Sequence, residues 1–263
     1  MTAPGRSNGP RGVDASGART ARLAELIRSA QPVVALTGAG ISVPSGIPDF
    51  RSPGTGLWAN VDPMEVAHIT AFRRDPVRFW SFYGQRFAAL RGKQPNGAHR
   101  ALVELERRGL LAAVVTQNID GLHGAAGTRE LIEVHGSIAT SSCPACGAVY
   151  ALEVARGRLA AAPDGVPRCD CGDPLKPDVV LFGEFLPEDA LERAQALAAS
   201  AALLLCIGSS LEVHPVAQLP ELTLAAGGRI AIVTRSTTPY DDDAAIKLTG
   251  DVEAELQAVV AAL

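Results

Sequence analysis

The stretch TGAGISVPSGIPDFR at residues 37–51 holds the most distinctive group of residues in the chain. An apolar run at 33–36 predicts a buried strand, and Gly38, Ala39 and Gly40 follow it directly. Glycines after a strand let the backbone approach a ligand, and free N–H groups at the start of a helix attract an anion. The spacing differs from GxGxxG, so by itself this loop is only a weak indication of a phosphate or dinucleotide site.

Four of the five cysteines form two close pairs, Cys143 with Cys146 and Cys169 with Cys171. Two such pairs suit a tetrahedral structural Zn²⁺ site, in which four thiolates leave no position open for catalysis. Disulfides or unrelated thiols are the alternatives, and a reducing cytoplasm argues against disulfides. The second pair is C-x-C instead of C-x-x-C, which shortens one zinc knuckle by a residue. The remaining cysteine, Cys206, lies in an apolar run and is interpreted as an inert core thiol.

Amide and carboxylate side chains follow a second apolar run, at 111–116. Gln117, Asn118 and Asp120 come directly after it. Ligands of open α/β sheets bind beyond the carboxyl ends of the strands, where such groups can hydrogen-bond a ribose or a carboxamide. The alternative interpretation is that Asn118 and Asp120 only cap the next turn.

Two more strand ends carry residues that suit a ligand site. His135 ends the run LIEV, where an imidazole could transfer protons near neutral pH. A single histidine in such a place is more often structural. The run ALLLCI ends in a loop suited to phosphate or ribose contacts, formed by Gly208, Ser209 and Ser210.

Apolar runs alternate with helical patterns along most of the chain, which predicts a parallel, doubly wound sheet of the α/β class. The strands are expected at 32–37, 111–116, 131–134, 178–182, 202–207 and 229–234, and the helices at 18–30, 97–108, 188–199 and 215–226. Two stretches break the alternation: 56–92 is helical and rich in aromatic residues, and 141–177 is loop-like and contains the paired cysteines. Both are interpreted as insertions that together form a smaller lobe.

Composition limits the classes of function. A net charge of −4 over 263 residues gives no indication of nucleic-acid binding. No apolar run is long enough to cross a bilayer, and the first residues lack the apolar region of a signal peptide. We therefore expect a cytoplasmic protein with a disordered tail at 1–17, without membrane or nucleic-acid partners, and a monomer by default.

These segments together resemble the sirtuin family. The matching motifs stand in the family's order and cover nearly the whole chain after the tail: GAGIS at 38–42, SGIPDFR at 45–51, TQNIDGLH at 116–123, HG at 135–136, the four paired cysteines, KPDVVLFGE at 176–184 and GSSLEVHP at 208–215. The resemblance implies a Rossmann-type large domain and a small zinc-ribbon lobe, with NAD and an acylated lysine meeting in the cleft between them. The expected domains are a Rossmann-type NAD-binding domain (18–55, 93–140 and 178–263), a helical insertion (56–92) and a zinc-ribbon module (141–177).

The resemblance also implies which residues contact NAD. The diphosphate would lie near Gly38, Ala39 and Gly40, while Phe50 and Arg51 would close over the ribose and help to exclude water. The remaining expected NAD contacts are Gln117, Asn118, Asp120, Gly208, Ser209, Ser210, Thr234 and Val252. Thr234 stands where the family usually has Asn, and Val252 has a core valine as its alternative interpretation.

By the same resemblance, His135 is the general base and Asn118 the second catalytic residue. The reaction would release free lysine, nicotinamide and 2′-O-acyl-ADP-ribose. The substrate peptide would enter extended, as an added strand. The expected peptide contacts are Val180, Phe182, Gly183, Glu184, Leu211, Glu212 and Val213.

Three residues lead to an expectation about the acyl group. Tyr83 and Arg86 are neighbours on a predicted helix, and with Ala67 they resemble the sirtuin branch that removes succinyl and malonyl groups. A guanidinium and a phenol recognise a terminal carboxylate well. We therefore expect a desuccinylase or demalonylase with some deacetylase activity. The alternative is that Tyr83 packs in the core and Arg86 is a solvated charge, in an ordinary deacetylase.

Three other functions are weighed against deacylation. A mono-ADP-ribosyltransferase would use the same NAD site, but it would need neither His135 nor the Tyr83–Arg86 pair. A binding module without activity would not require Asn118, Asp120 and His135 to be present. An ordinary Rossmann dehydrogenase is opposed by the missing GxGxxG and by the zinc ribbon.

Overall fold

The computed structural model describes residues 13–50, 56 and 61–263, and for 13–16 only the backbone. The strands are β1 (Val33–Thr37), β2 (Ala113–Thr116), β3 (Leu131–Glu133), β4 (Gly136–Ser142), β5 (Val149–Ala151), β6 (Lys176–Val179), β7 (Leu203–Ile207), β8 (Arg229–Val233) and β9 (Ile246–Leu248). The α-helices are α1 (Val13–Ser29), α2 (Pro63–Val66), α3 (Ile69–Arg74), α4 (Pro76–Ala89), α5 (Gly97–Arg107), α6 (Leu122–Ala126), α7 (Leu152–Ala161), α8 (Glu188–Ser200), α9 (Leu219–Ala225) and α10 (Val252–Ala261). Two 3₁₀ helices, Ala39–Ser45 and Val216–Gln218, complete these elements.

The large sheet has six strands in the order β3-β2-β1-β7-β8-β9, all parallel. The chain leaves β1 toward β2 on one side and later returns to β7 on the other, so the strand order reverses between β1 and β7. Thr37, the last residue of β1, pairs with both Thr116 and Ile207. The strands on either side of this switch point therefore end at the same level, where ligands of open α/β sheets bind.

Both faces of the large sheet are covered by helices, as continuous apolar strands require. Alternate residues of β1 point to opposite faces: Val33 and Ala35 join a core formed with α1, α5 and α10, while Val34 and Leu36 join one formed with α8 and α9. The expected α/β class with a Rossmann-like doubly wound sheet is thus confirmed.

A smaller lobe contains a three-stranded antiparallel sheet, β5-β4-β6, next to the cysteines, together with helices α2–α4. Helix α4 has a well-defined start, because Asp75 accepts a hydrogen bond from the backbone N–H of Arg78 and Pro76 is the first helical residue. The Trp80 indole N–H donates to the carbonyl of Leu175 at 2.9 Å. This bond joins the helical segment to the cysteine module.

The structure corrects several expected elements. The run at 178–182 was expected in the parallel sheet, but strand β6 covers Lys176–Val179 and pairs antiparallel with β4. Helix α7 lies within the stretch expected to be loop-like, and the strands β4, β5 and β9 were not predicted.

The first helix begins at Val13, inside the tail expected at 1–17, and residues 1–12 lie outside the described part. The division into domains at 140 and 178 remains a proposal. Strands β4 and β6 of the small sheet run across these two boundaries. Among the described residues, no helix combines the length and the apolar character needed to cross a membrane.

The loops after β1 and β7 pack against each other through glycine. The Gly40 N–H donates to the carbonyl of Gly208 at 2.8 Å. A Cβ at Gly40 would lie 2.7 Å from the Cα of Gly208, which is too close for any side chain. The two loops at the switch point can adopt this arrangement only because both residues lack a side chain.

We predict that Gly40→Ala lowers the free energy of unfolding by about 1–3 kcal/mol, because the new methyl group forces the two loops apart. The matched control is Gly157→Ala in helix α7, where an added Cβ meets nothing within 4 Å. That change should raise stability by about 0.5–1 kcal/mol through helix propensity. Urea unfolding followed by circular dichroism measures both, and equal effects of the two substitutions would contradict the close packing.

Candidate functional site

A single cleft of about 490 Å³ opens at the carboxyl ends of the large sheet, beside the small lobe. Most of the residues that the sequence analysis selected line it. They are Gly38, Ala39, Gly40, Phe50, Ala67, Tyr83, Arg86, Gln117, Asn118, Asp120, His135, Val180, Phe182, Gly183, Glu184, Gly208, Ser209, Ser210, Glu212, Val213 and Thr234. Residues far apart in the sequence thus surround one space.

Of the described residues expected to contact NAD or the peptide, two are not among those that line the cleft. Leu211 has a φ of 55° and turns its side chain into the core next to α8 and α9, where it is 2% exposed. Val252 packs against the core formed by α1, α5 and α10, which is the alternative interpretation given for it. Arg51 lies outside the described residues.

One wall of the cleft is a network of hydrogen bonds around Ser42. The Asn118 side-chain amide donates to the carbonyl of Gly38 at 3.1 Å and to the hydroxyl of Ser42 at 3.2 Å. Ser42 in turn donates to a carboxylate oxygen of Asp120 at 2.7 Å, and the other oxygen accepts the N–H of Leu122. Asp120 therefore holds the turn before helix α6 and also lines the cleft, so its bond to that turn does not exclude a contact with a ligand.

The opposite strand-end loop is joined to this wall by Gln117. Its side-chain amide donates to the hydroxyl of Ser209 at 2.9 Å. The Ser209 oxygen also accepts the N–H of Leu211, which helps to hold the turn after β7. The amide side chain thus bridges the loops that follow β2 and β7.

His135 lies where the large sheet passes into the small one. Its Nδ1 lies 3.0 Å from the carbonyl oxygen of Gln117. A carbonyl can only accept, so Nδ1 carries the proton and Nε2 is the nitrogen with a free lone pair. Burial lowers the pKa of His135 below its usual 6.5, and the carbonyl only partly opposes this shift. A neutral imidazole with a basic Nε2 is the form that a general base requires.

The backbone around His135 is tightly constrained. Its carbonyl accepts the N–H of Val180 at 2.8 Å. Gly136 has a φ of +72°, and a Cβ there would lie 2.1 Å from the carbonyl oxygen of Asp178. Only glycine can follow the histidine at this crossing.

The far end of the cleft contains Tyr83 and Arg86 from α4. The Tyr83 ring stacks on Phe79 with centroids 4.4 Å apart, and burial raises its pKa to about 12. The Arg86 guanidinium lies 4.8 Å from the centroid of the Phe50 ring, and burial lowers its pKa. Ala67, which is 4% exposed, leaves room beside them. Tyr83 thus belongs to the core and still presents an edge to the cleft.

The loop of the expected peptide contacts is held from both sides. Phe182 donates its N–H to the carbonyl of Ala67 and accepts the N–H of Ile69, both at 2.9 Å. Glu184 forms an ion pair with Lys176 at 3.0 Å and accepts the N–H of Leu181. These contacts fix the loop against the helical segment.

The four paired cysteines form one cluster, and their Sγ atoms all lie within 4.8 Å of one another. Cys143 and Cys171 are 3.5 Å apart, and Cys146 and Cys169 are 3.4 Å apart. Four thiolates around Zn²⁺, with bonds of about 2.3 Å, would be about 3.8 Å apart. The cluster therefore fits a structural zinc ion, and the shorter C-x-C pair still brings both of its sulfurs to the cluster.

The cleft also fits NAD by the chemistry of its lining. Glycine backbone at Gly38 and Gly40 lets an anion approach, while amides, hydroxyls and the Asp120 carboxylate offer partners for ribose and carboxamide groups. Thr234 supplies a hydroxyl beyond β8, and Ser236 and Thr237 also line the cleft there.

Sequence reasoning missed several residues that support the site. Ser42, at the centre of the polar wall, stood in the GAGIS motif but was given no role. Lys176 stood in the KPDVVLFGE motif but was given no role, since its ion pair with Glu184 appears only after folding. Tyr150, whose hydroxyl lies 3.2 Å from Cys169 Sγ, was likewise not selected.

Cys206, by contrast, is a core thiol as interpreted, and burial raises its pKa to about 12.

Comparison with known proteins gives a consistent picture. Residues 38–215 match the model of the Sir2 family. An NAD-dependent protein deacetylase of Sulfolobus acidocaldarius is 46% identical over 242 residues, which cover 91% of this chain and 93% of the relative. A solved structure of Sir2 with a p53 peptide and NAD⁺ has a TM-score of 0.84 and 40% identity, over 91% of this chain and 96% of that one. A structure of Sir2Tm bound to a propionylated peptide has a TM-score of 0.83 and 39% identity, with the same coverage.

We predict that the purified protein holds about one zinc ion per chain. Cys171→Ser should lose most of that metal, because three thiolates bind Zn²⁺ more weakly than four. Cys206→Ala is the matched control, since Cys206 lies in β7 outside the cluster. Elemental analysis after dialysis against a chelator measures the zinc content. Full retention of zinc by Cys171→Ser would exclude that cysteine as a ligand.

Proposed function

Because this chain belongs to the Sir2 family of NAD-dependent protein deacylases, we propose that its own reaction is the removal of acetyl groups from protein lysines. This is the plain deacetylase that the sequence analysis kept as an alternative. The names of the relatives favour it over the removal of succinyl or malonyl groups. The observation that carries the proposal is His135, held neutral in the cleft that also contains the glycine loop.

Bound NAD supplies the ADP-ribose that accepts the acyl group as nicotinamide leaves. The loop at 38–40 would hold the diphosphate through its backbone N–H groups. Asn118 and Asp120, fixed by Ser42, would hold the ribose and the carboxamide. The hydrogen bonds among these residues hold their side chains in one arrangement, which would preorganise the site for the nucleotide.

His135 would accept a proton at Nε2 from a ribose hydroxyl of the bound nucleotide. The Gln117 carbonyl holds the Nδ1–H and so fixes both the tautomer and the plane of the ring. A mono-ADP-ribosyltransferase would use the same nucleotide site without this base. The position of His135 in the cleft therefore favours deacylation over transfer of ADP-ribose to a protein.

The substrate lysine would enter beside Phe182, Gly183 and Glu184, with Glu212 and Val213 on the other side. All five residues line the cleft. An extended peptide could add its backbone between these two loops as a strand. Protein acyl-lysine is therefore the substrate class that we propose.

The test is nicotinamide release from NAD with and without an acetyl-lysine peptide, for wild type and His135→Asn. Wild type should release nicotinamide only with the peptide. His135→Asn should lose about 10²–10⁴-fold in kcat/KM, because the asparagine amide can replace Nδ1–H but not the basic Nε2. For wild type, kcat/KM should fall toward acid with an apparent pKa below 6.5, since burial lowers the pKa of His135.

Two results would contradict this proposal. Transfer of labelled ADP-ribose to a protein without loss of acetyl groups would point to the transferase. If the residual kcat/KM of His135→Asn still falls toward acid with the same apparent pKa as wild type, another group is responsible for that pH dependence.

Removal of acidic acyl groups remains a second candidate, supported by Arg86. Its guanidinium lines the cleft and is largely removed from solvent, so its pKa is lowered. No carboxylate in the described part of the chain forms an ion pair with it. A succinyl or malonyl carboxylate would supply the missing anion, with the Tyr83 hydroxyl as a further donor.

If this second candidate holds, Arg86→Met should lower kcat/KM for a succinyl-lysine peptide by about 10-fold or more while deacetylation survives. Arg78→Met on the same helix is the matched control, because Arg78 is half exposed and pairs with Glu65. Kinetics with one peptide carrying either acyl group measure the preference. Better wild-type turnover of the acetyl peptide, with Arg86→Met neutral on both, would leave the protein a plain deacetylase.

A further inference from the structure

Two buried histidines lie behind the polar wall of the cleft, outside the residues that line it. His99, near the start of α5, is 0% exposed, and His123 in α6 is 2% exposed. Their ring centroids are 4.8 Å apart at an interplanar angle of 61°. Two imidazoles packed against each other in a protein core are unfavourable unless they have a role, because each has two polar nitrogens that need hydrogen-bond partners.

His123 begins a chain of hydrogen bonds that ends at the cleft. Its Nε2 lies 2.9 Å from the hydroxyl oxygen of Thr37, the last residue of β1. The Thr37 hydroxyl donates to the hydroxyl oxygen of Thr116, the last residue of β2, at 2.8 Å. That oxygen accepts the backbone N–H of Asn118 at 3.1 Å. The chain crosses the paired ends of two neighbouring strands and reaches a residue of the polar wall.

The donors along this chain determine the tautomer of His123. A hydroxyl has one proton, and Thr37 gives its proton to Thr116. Thr37 can therefore only accept from His123, so Nε2 carries the proton and Nδ1 has the lone pair. Nδ1 is buried and has no hydrogen-bond partner in the described part of the chain.

His99 is held on its other side by the start of α5. Its Nδ1 accepts the backbone N–H of Asn96 at 3.4 Å, within a reciprocal cap of that helix. Its ring then limits how the ring of His123 can rotate, because the two are in edge contact. Burial, together with the neighbouring His99, lowers the pKa of His123 to about 3. The His123 ring thus stays neutral at any pH at which the enzyme would work.

We propose that His123 is a positioning residue that acts on Asn118 through Thr37 and Thr116. By donating to Thr37 it directs the Thr37 hydroxyl toward the Thr116 oxygen, and this bond holds that oxygen within reach of the Asn118 backbone N–H. Asn118 then presents its side chain to Gly38 and Ser42 in one orientation. This role rests on the proposed function, in which Asn118 holds the ribose and carboxamide of NAD.

The alternative is that the chain only stabilises the fold, and the two roles have different consequences. A purely structural chain would change the melting temperature and leave kcat at 25 °C intact. A positioning chain would change kcat while the KM for the peptide stays the same, because the peptide contacts lie on other loops. Removal of one hydroxyl in the middle of the chain separates the two.

The experiment compares Thr37→Val with Thr37→Ser and with Thr223→Val. Valine keeps the shape of threonine and breaks the chain, whereas serine restores the hydroxyl. Thr223 is the matched control, because it is also 0% exposed and its hydroxyl bonds to the carbonyl of Ala198, outside the site. Each variant is assayed with NAD and an acetyl-lysine peptide, and its melting temperature is recorded.

We expect Thr37→Val to lower kcat about tenfold, a change of ~1.4 kcal/mol in the activation barrier. Thr37→Ser should stay within about twofold of wild type, as should Thr223→Val even if it melts at a lower temperature. If Thr37→Val and Thr223→Val keep the same kcat, the positioning role is overturned.

A spectroscopic measurement on the wild type tests the direction of the hydrogen bonds in this chain without an activity assay. Long-range ¹H–¹⁵N spectra distinguish the two neutral tautomers of histidine, and His123→Asn assigns the signal. The Nε2–H tautomer, unchanged between pH 6 and pH 8, is expected. The Nδ1–H tautomer or a titration in this range would overturn the proposal. If wild type releases no nicotinamide with the acetyl peptide, the proposed function fails while the tautomer still reports on the chain.

Discussion

The site depends on the register of the parallel ladder around β1. Because Thr37 pairs with both Thr116 and Ile207, three loops begin at one level and converge on one space. The contact of Gly40 with Gly208 then determines how close the loops after β1 and β7 can come. Backbone pairing alone brings residues more than a hundred positions apart next to each other, without a contribution from their side chains.

A second constraint joins the two sheets. Strand β3 belongs to the large sheet and β4 to the small one, and only Val134 and His135 lie between them. The carbonyl of His135 is bonded to Val180, which follows the last strand of the small sheet. The proposed base is thus fixed by Gln117 from the large sheet and by Val180 from the small lobe.

Most of the site could be predicted because its residues stand in short motifs directly after apolar runs. Strand β9 could not be predicted, since its three residues give too little periodicity. Strand β6 was expected in the wrong sheet, because an apolar run does not show which strand it will pair with. Leu211 and Val252 do not line the cleft: motif membership does not fix the direction of a side chain, and Leu211 turns inward at a positive φ. The Ser42 and Thr37 networks depend on tertiary neighbours, which no local pattern encodes.

The place of His135 between the sheets has a mechanical consequence. The imidazole bonds to Gln117, which follows a strand of the large sheet, and the backbone carbonyl of His135 bonds to Val180 at the end of a strand of the small sheet. A displacement of one sheet relative to the other would therefore strain the bonds that orient the proton acceptor. The relative position of the two sheets and the orientation of the proposed base are in this way mechanically coupled.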